Sequence, residues 1–175
     1  SFDFRMNRMS FIESRVGDGT NVKRTTIDYY QPDLGVFPYG LPESVKVYDT
    51  DLSTVLKESV TTYNLSSTYT DKRIIGLPAE TKLYQGSSSG TLMSKVTFGY
   101  DADDDFATSG MGQTITNATQ HDYTNYGATY SAGRGNLTST TRWDATNPTS
   151  SGASITNTTL YNTLGSPVAQ ISPWD

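Results

Sequence analysis

Between Glu43 and Tyr48 apolar and polar positions alternate through the centre, Val45 and Val47 set against Glu43, Ser44 and Lys46. This is the period of two of a half-buried strand. Similar runs follow four glycines: GLPESVKVYD from Gly40, GLPAETKLYQ from Gly76, GNLTSTTRWD from Gly135 and GSPVAQISPWD from Gly165. Each opens on a turn glycine and closes on an aromatic with a polar neighbour, Tyr48-Asp49, Tyr84-Gln85, Trp143-Asp144 and Trp174-Asp175.

A second strand follows three of these runs: KESVTTYN at 57–64, MSKVTFGYD at 93–101 and SITNTTLYN at 154–162, the last two ending in Tyr100-Asp101 and Tyr161-Asn162. The segments between the paired strands, DTDLST, QGSSSGT and DATNPTSSGA, are rich in residues that favour turns. Towards the amino terminus, RMSFIESRV and VKRTTIDYY flank GDGTN, whose Asp18-Gly19 is a hairpin signal. Helical periodicity nowhere exceeds two turns. The pattern predicts an all-β chain, an array of antiparallel β-hairpins forming a continuous curled or spiralling sheet.

The repeats divide the chain into approximate units at 8–39, 40–75, 76–111, 112–134 and 135–164, with a partial unit at 165–175. The copy from Gly112, GQTITNATQHD, lacks an aromatic in the expected slot. A lone unit cannot bury its apolar face, so neighbours must join. The aromatics are expected to be buried along the seam, and the Asp or Asn after each to bond turn backbone.

Composition narrows the function classes. Apolar residues are 34% of the chain, which suits sheets with a solvated face. The net charge is −5 and the 13 Lys and Arg are scattered, against the clustered cations a nucleic-acid binder needs. There is no cysteine, hence neither a disulfide framework nor a thiolate metal site. No apolar run reaches the roughly 18–20 residues that span a bilayer. The chain opens on Ser1 and closes on ISPWD, half a unit, which predicts a processed or excised piece of a longer polypeptide.

The units resemble the YD repeats of the RHS family, in which a Tyr-Asp pair, a short gap, a Gly and an alternating strand recur. YNTLGSPVAQISPWD from Tyr161 and YSAGRGNLTSTTRWD from Tyr130 carry the resemblance best, with RIIGLPAETKLYQ and FPYGLPESVKVYD less complete. Asn162 and Gln85 depart from the Asp of the pattern. The resemblance implies a strip of sheet that spirals into a shell, as in polymorphic toxins, insecticidal toxin complexes and teneurin-like surface proteins. It further implies that the repeats enclose or display a partner domain and do no chemistry. No enzyme activity and no cofactor are expected. The expected partners are other repeats of the parent chain, or identical copies joined through sheet edges.

Chemical motifs are weaker. Gly86-Ser87-Ser88-Ser89-Gly90 matches the G-x-S-x-G pattern of a nucleophile, but that elbow needs a helix after it and TLMSKVTFGYD reads as a strand. The single histidine, His121, would have to serve any Ser-His-Asp triad. Asp101, Asp103, Asp104 and Asp105 could offer oxygens to calcium, yet the run lacks the glycine and distal glutamate of an EF-hand loop. A glycosidase pair could be drawn from Glu43, Glu58, Glu80 or Asp49, with nothing in the spacing to set their separation. Asn64, Asn117, Asn136 and Asn157 head glycosylation sequons. Exposed Tyr and Trp offer the second functional reading, an adhesin or carbohydrate-binding segment.

Overall fold

The computed structural model describes residues 10–15, 22–30, 40–102, 115, 118–124, 133–148 and 153–173. Within them lie nine strands: β1 (Phe11–Arg15), β2 (Val22–Tyr29), β3 (Pro42–Tyr48), β4 (Val55–Tyr63), β5 (Pro78–Gln85), β6 (Thr91–Tyr100), β7 (Leu137–Trp143), β8 (Ser154–Tyr161) and β9 (Pro167–Ile171). One short helix, α1 (Ser67–Thr70), lies between β4 and β5. The strands form one antiparallel sheet whose spatial order is the sequence order, β1 to β9. The chain is therefore all-β, built by adding each strand beside the last.

The chain divides into two compact units. The first takes Ser1–Thr62 and Thr81–Lys95, the second Tyr63–Glu80 and Val96–Asp175.

In the first unit, β1, β2, β3 and β4 pair in sequence, with Glu13 opposite Arg24, Thr26 opposite Lys46 and Lys46 opposite Glu58. Alternation then sets Arg24, Thr26, Asp28, Ser44, Lys46 and Glu58 on one face, and Thr25, Ile27, Val45 and Val47 on the other. The valine face is half-buried, whereas Ser44 and Glu58 on the polar face are buried. This differs from the simple reading of the alternation, in which the apolar side faces inward.

In the second unit, β7, β8 and β9 pair in sequence, with Thr141 opposite Thr156 and Leu160 opposite Ala169. The Thr141 and Thr156 hydroxyls meet at 2.7 Å, a cross-strand polar pair of the kind that stabilises sheets one rung at a time. Gly99 on β6 permits close approach to β7, because a Cβ there would overlap Ser139 Oγ.

Among the described apolar residues only Tyr69 and Leu160 are buried. Trp143, expected in a buried seam, is half-buried, and its indole Nε1 donates to Thr97 Oγ1 at 3.0 Å. The strands are dominated by Ser, Thr and charged residues, so their cohesion comes from ladders and polar pairs more than from a core. The described part of 112–134, residues 115, 118–124 and 133–134, holds turns and irregular chain but no strand, and Gly112 lies outside the described residues.

Candidate functional site

The clearest recurring geometry is a joint that closes each return strand onto the strand after it. The residue following the strand-end tyrosine donates its N–H to the carbonyl of the residue following a glycine. The four bonds are Tyr30 N to Leu41 O at 2.9 Å, Asn64 N to Leu77 O at 2.8 Å, Asp101 N to Asn136 O at 2.9 Å and Asn162 N to Ser166 O at 2.9 Å. The glycines concerned, Gly40, Gly76, Gly135 and Gly165, all have φ between 73° and 87°. Only glycine enters that region without strain.

Two tyrosines add a second bond at the equivalent place. Tyr100 Oη donates to Pro78 O at 2.9 Å and Tyr161 Oη to Leu137 O at 3.1 Å. Each accepting carbonyl lies two residues past a joint glycine. The tyrosine thus ties the strand on which it sits to an earlier joint.

The joint at Asp101 is the most elaborate. Its Oδ2 accepts the N–H groups of Arg134 and Gly135, both at 2.8 Å, and Oδ1 accepts that of Asn136 at 3.0 Å. Successive N–H groups converging on one carboxylate make an anion-binding nest. Asp101 itself sits at φ 51°, a conformation that Asp tolerates better than most residues. The Tyr69 hydroxyl is a further partner, and burial together with the Asp101 charge pushes its pKa up to about 12. The Tyr69 ring meets that of Tyr100 edge-on at 6.4 Å. Nearby, Ala102 N donates to Thr138 Oγ1, which in turn donates to Gly99 O.

Asn162 is buried and serves its own joint, with Oδ1 accepting the N–H groups of Leu164 and Ser166, both at 3.0 Å. The hairpin tips repeat the device on a smaller scale. Asp49 Oδ1 accepts Thr50 N at 2.7 Å, and Asp144 Oδ1 accepts Thr146 N at 2.9 Å and Thr146 Oγ1 at 2.7 Å. The bonds to Thr146 hold the Asp144 carboxyl below its usual range. Tyr84 lies half-buried on β5, and Trp174 and Asp175 lie outside the described residues.

A different carboxylate organises the first unit. Glu58 accepts Ser44 Oγ at 2.7 Å and Ser88 N at 2.5 Å, and lies 3.8 Å from Lys46 Nζ. Burial by itself would raise its pKa, but the bonds from Ser44 and Ser88 and the Lys46 charge outweigh it, and the pKa falls below the usual value. Lys46 also pairs with Asp28 at 3.3 Å, and Arg24 with Glu13 at 2.6 Å, so charge alternates across the face.

The remaining sequence candidates are dispersed. Ser88 is at an exposed tip and strand β6 follows the tip, in place of the helix that a nucleophile elbow needs. His121 lies in a turn region with its ring edge-on to Tyr123 at 4.4 Å. Glu43 is exposed and Glu80 half-buried. The Asp101 oxygens face the 134–136 backbone, while Asp103, Asp104 and Asp105 lie outside the described residues, and the described ones hold no cluster of three or more metal-ligating side chains. Of the sequon asparagines, Asn136 has its Nδ2 buried, Asn64 and Asn157 are half-buried, and Asn117 lies outside the described residues.

Sequence reasoning passed over Tyr69, Arg134, Thr138 and Ser44. The one local signal was Gly133-Arg134-Gly135, two glycines bracketing the nest, with φ of 68° and 78°. Chemically, Asp101 and Asn162 gather backbone N–H groups, which is how a clamp is made. No protein-family model, curated protein or solved structure matches the chain.

Proposed function

We propose that the chain is a non-catalytic structural repeat segment of a large secreted or surface-exposed protein of the RHS/YD-repeat kind. Its work is to form shell wall or extracellular scaffold that encloses or displays a partner domain. The observation that carries this reading is the joint repeated four times with the same backbone bond and the same left-handed glycine. A strip extended by one recurring joint is how a wall grows, because every added hairpin meets its neighbour alike. Further repeats of the parent chain, or another copy, would pair along β1 and β9, the outer strands of the order.

The test is protease protection of a domain encoded in the same gene, expressed with and without this segment. Protection is expected, with Ser88→Ala and His121→Ala leaving it unchanged and Asp101→Ala reducing it. Absence of protection, combined with glycan-array binding that single Tyr substitutions abolish in folded protein, would replace the scaffold with the adhesin reading.

A further inference from the structure

The sequence holds two Lys-Arg pairs, Lys23-Arg24 and Lys72-Arg73, and the fold treats them in opposite ways. Lys23 and Arg24 lie in β2, between β1 and β3, with Lys23 opposite Ser14 and Arg24 opposite Glu13. The Arg24 guanidinium is taken up by Glu13 at 2.6 Å. Proteolysis acts on backbone that has opened locally, so cutting at this pair requires undoing the sheet.

Lys72 and Arg73 stand instead in the turn after α1, inside the segment that the joint from Asn64 to Leu77 closes. Asp71, Lys72 and Arg73 are exposed, as is Ile75 at 41%. The backbone bonds here are local: Lys72 N and Ile74 N donate to Tyr69 O, and Arg73 N donates to Thr70 O. Opening the turn gives up these, the Lys72 Nζ bond to Gly133 O at 3.2 Å and the packing of Ile74 against Gly135, but no strand pairing. Arg73 sits at φ 60°, a conformation that strains a residue with a long side chain. Extending the chain relieves that strain, and exposed turns that open cheaply are where chains are nicked.

We infer that Lys72-Arg73 is a processing site for an endoprotease specific for paired basic residues, which hydrolyses the Arg73–Ile74 peptide bond. Water adds across the bond, leaving a carboxylate on Arg73 and an amine on Ile74. Acidic specificity pockets would meet two adjacent cations at once, a match that a single exposed Lys or Arg does not offer. The cut releases nothing, because β4 and β5 are neighbours in the sheet and the bond from Asn64 to Leu77 lies outside the cut turn. The site goes beyond the scaffold reading and is tested apart from it.

Digestion of the folded 175-residue chain with a subtilisin-type endoprotease that requires Lys-Arg tests it, with two synthetic peptides covering the pairs as controls. Both peptides are expected to be cut, and the folded chain to be cut after Arg73 at least about tenfold faster than after Arg24, read by mass spectrometry. Arg73→Gln should resist at that position with an unchanged circular dichroism spectrum. The two products should elute together in size-exclusion chromatography and part only in denaturant. A folded chain left intact at Arg73 while the peptide is cut, equal cutting after Arg24, or products that separate without denaturant would each overturn the inference.

Discussion

Glu58 and Asp101 are both carboxylates that accept several hydrogen bonds, but they hold different things. Glu58 in the first unit joins two side chains of the facing strand β3, Ser44 and Lys46, and pins one tip residue, Ser88. Asp101 in the second unit accepts three successive backbone N–H groups that no strand would satisfy. The first replaces a hydrophobic contact, and the second replaces secondary structure. That difference bears on the repeat: backbone capture can recur whatever the neighbouring side chains are, so it leaves a sequence signature, whereas the Glu58 cluster is particular to its four residues.

The sharpest way to break the comparison is Asp101→Ala. It leaves three partly buried N–H groups without their charged acceptor and puts Ala at a positive φ, so a loss of about 3–4 kcal/mol is expected in urea unfolding. Asp101→Asn keeps one good acceptor oxygen and the tolerance for that φ, and should lose about half as much. An equal loss in the two variants would mean that the nest matters less than the charge.

Glu58→Gln is expected to cost about 1–3 kcal/mol, because the buried Ser44 hydroxyl and Lys46 lose a charged partner. It should also alter the acid limb. The folded pKa of Glu58 is depressed, so its stabilisation is present above the ordinary Glu value of about 4.3 and is lost as pH falls through the folded value. Stability measured between pH 6 and pH 3, at about one-unit steps, should fall less steeply in Glu58→Gln. An unchanged slope would remove Glu58 from the acid response.

Tyr69 governs the opposite limb. Its pKa is raised to about 12, so its contribution is complete below the unfolded value of about 10 and is lost as pH rises through the folded one. Tyr69→Phe should be less stable by about 1 kcal/mol at neutral pH and flatter between about pH 10 and 12. Absorbance at the phenolate band checks the ionisation directly.

The smallest effect belongs to an ordinary rung. Thr141→Val removes one hydroxyl of the pair with Thr156 and should shift stability by no more than about 0.5 kcal/mol. A larger loss would mean that the polar pairs along the strands rival the joints.

The strands and the four glycines were legible because alternation, turn residues and left-handed backbone are local demands, written within about ten residues. Tyr100-Asp101 could be read as a pair, but its capture of residues 134–136 spans more than thirty positions, and no local pattern encodes that distance. Glu58 stood only among the glycosidase candidates, and nothing local marks it as buried, since its partners lie on two other segments and they make its burial tolerable. Tyr69 lies in LSSTYT, which reads as polar linker, yet the residue is only 6% exposed.

The four joints close over intervening segments of very different length, 31–39, 65–75, 102–134 and 163–164. The entropy of closing a chain grows with the logarithm of its length, so the longest of these costs only about 2–3 kcal/mol more than the shortest. The joint is therefore a splice point. Foreign sequence, whether supplied by recombination or by an engineer, can be lodged between the tyrosine and the glycine while the pairing on either side keeps its register.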